Sequence, residues 1–465
     1  MSSAAFDSLL LMVAGGLLGV ITLLVLVRHP KAALAAYVAA LGWAPIWFGS
    51  NAGPLYVPLH TVLAVTAILA LLQHRDQRPF QPTVVDVALL ATCLVIVAEF
   101  PLGLARIDLP AQLLVEWVPA LVVGRIAYTR IAPDFLYRVF LVVFGIAGAL
   151  AILESLTVLN LWVNFTGIPN RAYSYWGALQ YRAGVLRAEG AMGHSIALGC
   201  SLAMAVPMVM AARTSVWLRI VAMLALMGGA AATLSRLGII LALVGCAAML
   251  FLSREAIGRR LRIGLTGLLV AASLLVLWLQ STVFAAAGNE AADSAAYRVW
   301  LVSLLPGLRP FGQASSYQRN SEGSSSFGGF ASIDSQLLDL ALKVGWIPVL
   351  ILAVLLLLAL MRVLARRADP AMTSIAVQIP AVLTVAFITQ YGMIMWFFAG
   401  LAVGAYSRTR VVRLPTHAST TPPRARRALP DPTDADGQVV TADLQPSPSI
   451  ASASRPRKVS SHDPH

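Results

Sequence analysis

The sequence predicts an all-α polytopic integral membrane protein of about 12–13 transmembrane helices with one long extracytoplasmic loop. Three observations predict it. Hydrophobic residues make up 58% of the 465 positions and charged residues only 12%, about half the charged share of a soluble domain. Apolar runs of roughly 20 residues, enough to cross a hydrocarbon core at about 1.5 Å per residue, recur from the first residues to about Ser407. The loops between these runs alternate between basic and non-basic, the bias that sets orientation.

The first run, Ser8–Val27, has no basic residue before it and no clean small-residue cleavage site, so it reads as a retained span rather than a removed signal peptide. The runs Ala32–Phe48, Leu59–Leu72, Val84–Leu104, Leu109–Tyr128 and Asp134–Leu161 follow. After them come Ala191–Ala212, Val216–Leu234, Leu237–Leu252, Ile263–Leu279, Trp346–Leu364, Thr373–Gln390 and Tyr391–Tyr406. One set of connections carries Arg28 and Lys31, Arg75 and Arg78, Arg130, Arg213, the run Arg254 to Arg262, and Arg362, Arg366 and Arg367. The positive-inside rule assigns that set to the cytoplasm.

The other set faces outward: Ser50–Pro58, Arg106–Asp108, Asn160–Gly190, the Ser235–Arg236 corner and a long loop over residues 280–345. A loop of that length on a membrane scaffold is functional or disordered. Its centre, QASSYQRNSEGSSSFGGF, reads as flexible, and the segment around Ile333 to Val344 reads as an amphipathic helix at the interface. The membrane domain is thus residues 1–407. Residues 408–465, rich in Pro, Ser, Thr and Arg, are expected to form a disordered basic cytoplasmic tail.

Composition also excludes some chemistry. Cys93, Cys200 and Cys246 lie inside apolar runs without metal-ligand spacing, which makes them small buried hydrophobes. The formal charge of +13 resides mostly in short loops and the tail, with no basic stripe interleaved with aromatics, so nucleic acid is not an expected partner. No glycine-rich phosphate loop, zinc spacing or nucleophile–base order stands in the sequence. Neither metal nor cofactor is expected.

The informative residues are the polar ones that remain. Arg236 stands between two apolar runs in TLSRLGIIL with no acidic residue near it in sequence. Such an arginine either snorkels to the interface or serves function, and the positive-inside bias runs against it on the outer side. Arg182, Arg187 and Glu189 precede the span near Ala191, where a local ion pair competes with a functional role. Arg298 is a further outward arginine. Guanidinium groups gathered on one side would suit a diphosphate, which they pair bidentately without ever losing charge. Of seven histidines only His60 and His194 can face outward, and His194 fits a helix-entrance role as well as chemistry. Asp334 fits either an N-cap or a carboxylate that orients an acceptor.

The order of these features resembles the O-antigen ligase and O-antigen polymerase superfamily of bacterial polysaccharide-assembly membrane proteins. The resemblance rests on Arg187 with Gly190, on Ser235 with Arg236, on Arg298 with Trp300, on Pro310 with Gly312, and on the segment from Asp334 to Gly345, spanning roughly Arg182 to Trp396. It implies a metal-independent GT-C-type glycosyltransferase on the outer face of the bacterial inner membrane, acting on polyprenyl-diphosphate-linked glycans. Arg236, Arg298 and Arg187 would stabilise the departing diphosphate, while Arg182, Glu189 and His194 are candidates for an acceptor-side or a structural role. Ligase members carry a histidine–asparagine pair where this chain reads Ser-Ile-Asp-Ser at 332–335. The polymerase branch therefore leads, with Asp334 as the residue that orients or deprotonates the acceptor hydroxyl. A flippase or chain-length regulator of the same pathway is an expected partner.

A ligase-type transfer is the alternative within that family. A secondary transporter is the alternative outside it, with Glu116 and Arg125, nine apart in one span, as its polar relay. No internal repeat or matched pair of broken spans supports transport.

Overall fold

The computed structural model describes residues 3–53, 55–73, 81–163, 171–252, 258–282, 285, 290–319 and 325–411. The chain divides into one unit, Met1–Leu414, and a second, Pro415–His465, which lies outside the described residues. Helices dominate. In chain order they are α1 (Ser3–Arg28), α2 (Pro30–Trp43), α3 (Leu59–Gln73), α4 (Val84–Glu99), α5 (Asp108–Gln112), α6 (Val118–Arg130), α7 (Pro133–Thr157), α8 (Arg171–Trp176) and α9 (Ser195–Ala211). Then come α10 (Val216–Ala232), α11 (Arg236–Leu252), α12 (Arg259–Ser281), α13 (Glu290–Val302), α14 (Gln336–Val344), α15 (Trp346–Leu364), α16 (Pro370–Val377), α17 (Ile379–Thr384) and α18 (Tyr391–Val411). Three antiparallel hairpins punctuate them: β1 (Gly49–Ala52) with β2 (Leu55–Pro58), β3 (Tyr181–Arg182) with β4 (Val185–Leu186), and β5 (Tyr317–Arg319) with β6 (Ser325–Phe327).

Three helical stretches, Asp108–Arg130, Pro133–Thr157 and Trp346–Leu364, are long and apolar enough to cross a bilayer. The apolar surface lies outside as well as inside. Along α15, Leu350, Val354, Leu357, Leu358 and Met361 are each 46–56% exposed. Water solvates such a stripe poorly, whereas hydrocarbon does so at no cost.

At the centre stands α9, buried along its length except at Ile196 and Ala211 and mostly apolar on every face. It packs on α7, α10, α11 and α16. Close helix crossings hold this array. Gly124 on α6 meets Gly400 on α18, Gly148 on α7 meets Gly229 on α10, and Gly199 on α9 meets Gly238 on α11. In each pair a β-carbon on the first-named glycine would come within 2.1–3.2 Å of the other helix. Small residues permit backbones to approach this closely, which is how apolar helices associate where no hydrophobic drive exists between them.

The structure departs from the sequence reading in several places. The run Thr373–Gln390 is not one helix: α16 and α17 end at Thr384, and residues 385–390 are non-helical before α18 begins. The centre of the long loop is paired as the β5–β6 hairpin rather than unstructured, although residues 320–324 lie outside the described set. Leu301, Leu304, Ala314, Phe327, Ile333 and Leu342 give that loop a small core of its own. Gly345, at φ +82°, ends α14 where a β-carbon would strike the Pro310 carbonyl at 2.5 Å, so the Pro310–Gly312 turn seats directly on the α14–α15 junction. Residues 408–411, expected in the tail, continue α18.

The polar relay of Glu116 with Arg125 does not form. Arg125 donates from Nε to Asp86 Oδ1 at 2.7 Å and from Nη2 to Asp86 Oδ2 at 3.1 Å, while Glu116 accepts from Gln112 at 3.2 Å. Asp86 was out of reach of spacing arguments because it sits on α4, 39 residues before Arg125. The three cysteines are buried and free.

Candidate functional site

The site is built on the turn from α10 to α11. Leu234 adopts the left-handed conformation at φ +48° and terminates α10. Ser235 then caps α11, its Oγ accepting from Gly238 N at 3.2 Å, and Arg236 occupies the first helical position. The sequence Thr-Leu-Ser-Arg folds this way because a serine cap satisfies an otherwise orphan N–H of the new helix.

Against this turn lies the segment that holds the β3–β4 hairpin. Three consecutive carbonyls at the end of α10 accept from it. Ala188 N donates to Ala232 O at 3.0 Å, Arg187 Nε to Thr233 O at 3.2 Å, and Arg182 Nη1 to Leu234 O at 2.6 Å. The arginines complement the negative end of the α10 dipole. They thereby stand beside the positive end of α11, where Arg236 adds a third guanidinium and no acidic residue occupies the first turn. A helix N-terminus flanked by arginines is a region of concentrated positive potential, suited to an anion.

The segment is locked from below by one carboxylate. Glu154, buried near the end of α7, accepts from Asn160 Nδ2 at 2.8 Å, Glu189 N at 3.1 Å and Gly190 N at 2.9 Å. Asn160 Oδ1 in turn accepts from Trp162 N at 2.8 Å and Val163 N at 3.1 Å. Neither role was legible, because the donors that Glu154 meets include backbone N–H groups 35 and 36 positions further along the chain.

Glu189 is wholly buried and accepts from Gln180 N at 2.8 Å. Burial, reinforced by the nearby Glu154 charge and opposed by Arg187, pushes its carboxyl up to about 8. Below the unfolded value of 4.5 both states hold the proton, and this contribution to stability is complete. Between 4.5 and about 8 the folded state keeps a proton that the unfolded chain releases, so stability falls as pH rises through that window. Glu189→Gln is expected to flatten the decline in melting temperature over this range, and an unchanged slope would exclude Glu189 as its source.

Both histidines expected on the outer side hydrogen-bond to backbone. His194 is the N-cap of α9, with Nδ1 accepting from Ile196 N at 3.2 Å and the ring edge-on to Trp176. With Nδ1 accepting, the neutral ring carries its proton on Nε2. His60 directs Nε2 to the carbonyls of Ala40 and Ala44, both at 3.1 Å, which makes that nitrogen the donor. His194→Asn should preserve the cap and melt within a degree or so of the parent, while His194→Ala should cost about 1 kcal/mol. Thermal unfolding in detergent distinguishes them.

Arg298 and Asp334 lie on the surface of the long loop rather than at this turn. Asp334 is exposed and lines an open recess with Tyr297, Gly329, Phe330 and Ser332. It does not cap α14; Ser335 does, its Oγ accepting from Leu338 N at 3.4 Å. The α13 residue that meets Asp334 is Tyr297, whose phenol is raised by burial and by the Asp334 charge. Arg298, one position on and about 100° around the helix, is exposed.

Two glutamines that sequence reasoning passed over tie the loop to the segment that follows Glu189. Gln336, first residue of α14, donates from its N to Val385 O at 3.1 Å and accepts at Oε1 from Phe387 N at 2.5 Å. At the other end of the same non-helical stretch, Gln390 Nε2 donates to Ala44 O at 3.1 Å and Ala191 O at 3.0 Å. The interruption at 385–390 thus bridges α14 and the residues just after Glu189. Irregular backbone is tolerated in an apolar array only where side chains satisfy it or where it borders a cavity.

No family model, curated protein or solved structure matches this chain.

Proposed function

We propose that this chain is a polytopic GT-C-type glycosyltransferase of about 12–13 spans that joins polyprenyl-diphosphate-linked repeat units into a polysaccharide at the outer face of the bacterial inner membrane. The observation that carries the reading is the gathering of Arg182, Arg187 and Arg236 around one interhelical turn. Loss of a lipid diphosphate develops negative charge on the leaving oxygens, and fixed guanidinium groups in a poorly hydrated site stabilise it without reorganisation. Acceptor activation falls to Asp334 rather than to a histidine, because His60 and His194 are both committed to backbone. Arg298 then serves the donor or acceptor glycan from the exposed face of α13. The resemblance to the O-antigen ligase and polymerase superfamily supports the same assignment, and the absence of a histidine at 332–335 favours the polymerase branch.

The interrupted helix at 385–390 favours a second reading, a secondary transporter, since broken helices house substrate in such proteins. One experiment separates the two. Deletion in the host, complemented with the parent, Arg236→Ala or Arg298→Ala, is followed by analysis of surface glycan and lipid-linked intermediates. Single lipid-linked repeat units should accumulate in the deletion and persist with Arg236→Ala. Normal glycans and intermediates in the deletion would overturn the proposal in favour of solute transport.

A further inference from the structure

A second concave site lies between α5, with the residues just before it, and the long loop. It is a cavity of about 240 Å³ walled by Arg106, Asp108 and Gln112 on one side and by Gln313, Tyr317, Asp339 and Lys343 on the other. That is slightly below the range of drug-sized pockets, and so is room for one small polar ring rather than a chain.

Its chemistry is specific. Arg106 Nε pairs with Asp108 Oδ2 at 2.8 Å, and Lys343 Nζ pairs with Asp339 Oδ2 at 2.7 Å. Arg106 also donates from Nη1 to the Tyr317 hydroxyl at 2.9 Å. Two cations thus face two anions, and the walls carry no net charge. A phosphate or carboxylate would gain little here, whereas hydroxyl groups find donors and acceptors on both sides. A carboxylate has about four lone-pair sites, and the two glutamine amides each donate and accept. Between these groups stand the rings of Tyr317 and Phe327, 5.6 Å apart, with Leu109 and Ile333. Alternating hydrogen-bonding groups and aromatic surface match the two kinds of face of a pyranose.

Position matters as much as chemistry. Ala331 lines both this cavity and the recess that contains Asp334. A ring held in the cavity would lie next to the carboxylate assigned to the acceptor hydroxyl.

We infer that this cavity is a binding site for a single uncharged sugar residue of the acceptor glycan. The assignment of that sugar to an acceptor rests on the glycosyltransferase reading; the sugar site itself does not. Sequence inspection left these residues in two unrelated loops, because Arg106 and Tyr317 are 211 positions apart.

The test is saturation-transfer NMR on the full-length protein in a detergent without a sugar headgroup. The probes are the methyl glycosides of glucose, galactose, mannose, N-acetylglucosamine and rhamnose. Wild type and Arg236→Ala should both transfer magnetisation to at least one glycoside. Asp339→Asn and Gln313→Ala should each weaken that binding roughly five-fold, the usual worth of one hydrogen bond. Gln313→Ala removes no ion pair, so it stays informative if Asp339→Asn fails to fold. Transfer to none of the five glycosides, or equal transfer in folded variants, overturns the sugar site. If that happens while Arg236→Ala still accumulates lipid-linked units, only the pocket assignment falls. Glycoside binding alongside normal glycans in the deletion strain would uphold the sugar site and remove the polymerase reading.

Discussion

Gly400→Ala is expected to cost about 3 kcal/mol or more and to sharply lower the yield of folded protein. A β-carbon there would lie 2.1 Å from the Leu121 carbonyl oxygen, 2.7 Å from Arg125 N and 3.0 Å from Gly124 Cα. All three are backbone atoms of α6, so relief requires α6 and α18 to separate along their whole contact. Overpacking of a core costs about 1–3 kcal/mol when side chains can yield, and here none can. Gly124→Ala should behave alike, since its β-carbon would meet Phe397 O at 2.1 Å. Gly145→Ala is the control: its nearest neighbour would be the Ala222 β-carbon at 3.6 Å, an ordinary contact. The helix-propensity gain of about 1 kcal/mol should leave that variant at least as stable as the parent. Fluorescence-detected size-exclusion after heating measures all three, and equal melting of Gly400→Ala and Gly145→Ala would refute the close-crossing account.

These crossings show which features a sequence can disclose. Apolar runs disclosed where most helices lie, because burial in hydrocarbon or in a neighbour demands the same composition. They could not disclose the break at 385–390, since Val385, Phe387 and Ile388 continue the apolar run. What satisfies the broken backbone is supplied from elsewhere, by Gln336, which accepts from Phe387 N and donates its own N–H to Val385 O. The glycine pairs escaped for the same reason: Gly124 and Gly400 meet from distant parts of the chain, and neither is unusual locally.

Polar residues followed a related rule. Ser235 and Arg236 stood out because a serine–arginine corner between apolar runs is costly wherever it sits. That Arg182 and Arg187 converge on the same corner was legible only as a shared outward side. Their acceptors are backbone carbonyls, which every residue offers and no residue type marks. The histidines stand open in sequence between chemistry and a helix-entrance role, and each satisfies nearby backbone: His194 accepts from Ile196 N and His60 donates to carbonyls of α2 and its C-terminal end.

The largest effect on activity is expected at Arg236. Alanine there should slow conversion of purified lipid-linked repeat units by roughly 10²–10³, the range for removing one preorganised group at a developing oxyanion. Folding should persist, because the turn is held by Ser235 Oγ, by the left-handed Leu234 and by the carbonyls that Arg182 and Arg187 engage. Arg182→Ala makes the contrast. It removes a cation and also strips a donor from Leu234 O, so both melting temperature and rate should fall. Lysine at 236 keeps the charge but not the bidentate fork, and should recover only part of the rate. A rate unchanged by Arg236→Ala in protein of normal melting temperature would leave the first position of α11 as a snorkelling arginine. The positive end of that helix would then need no anion to explain it.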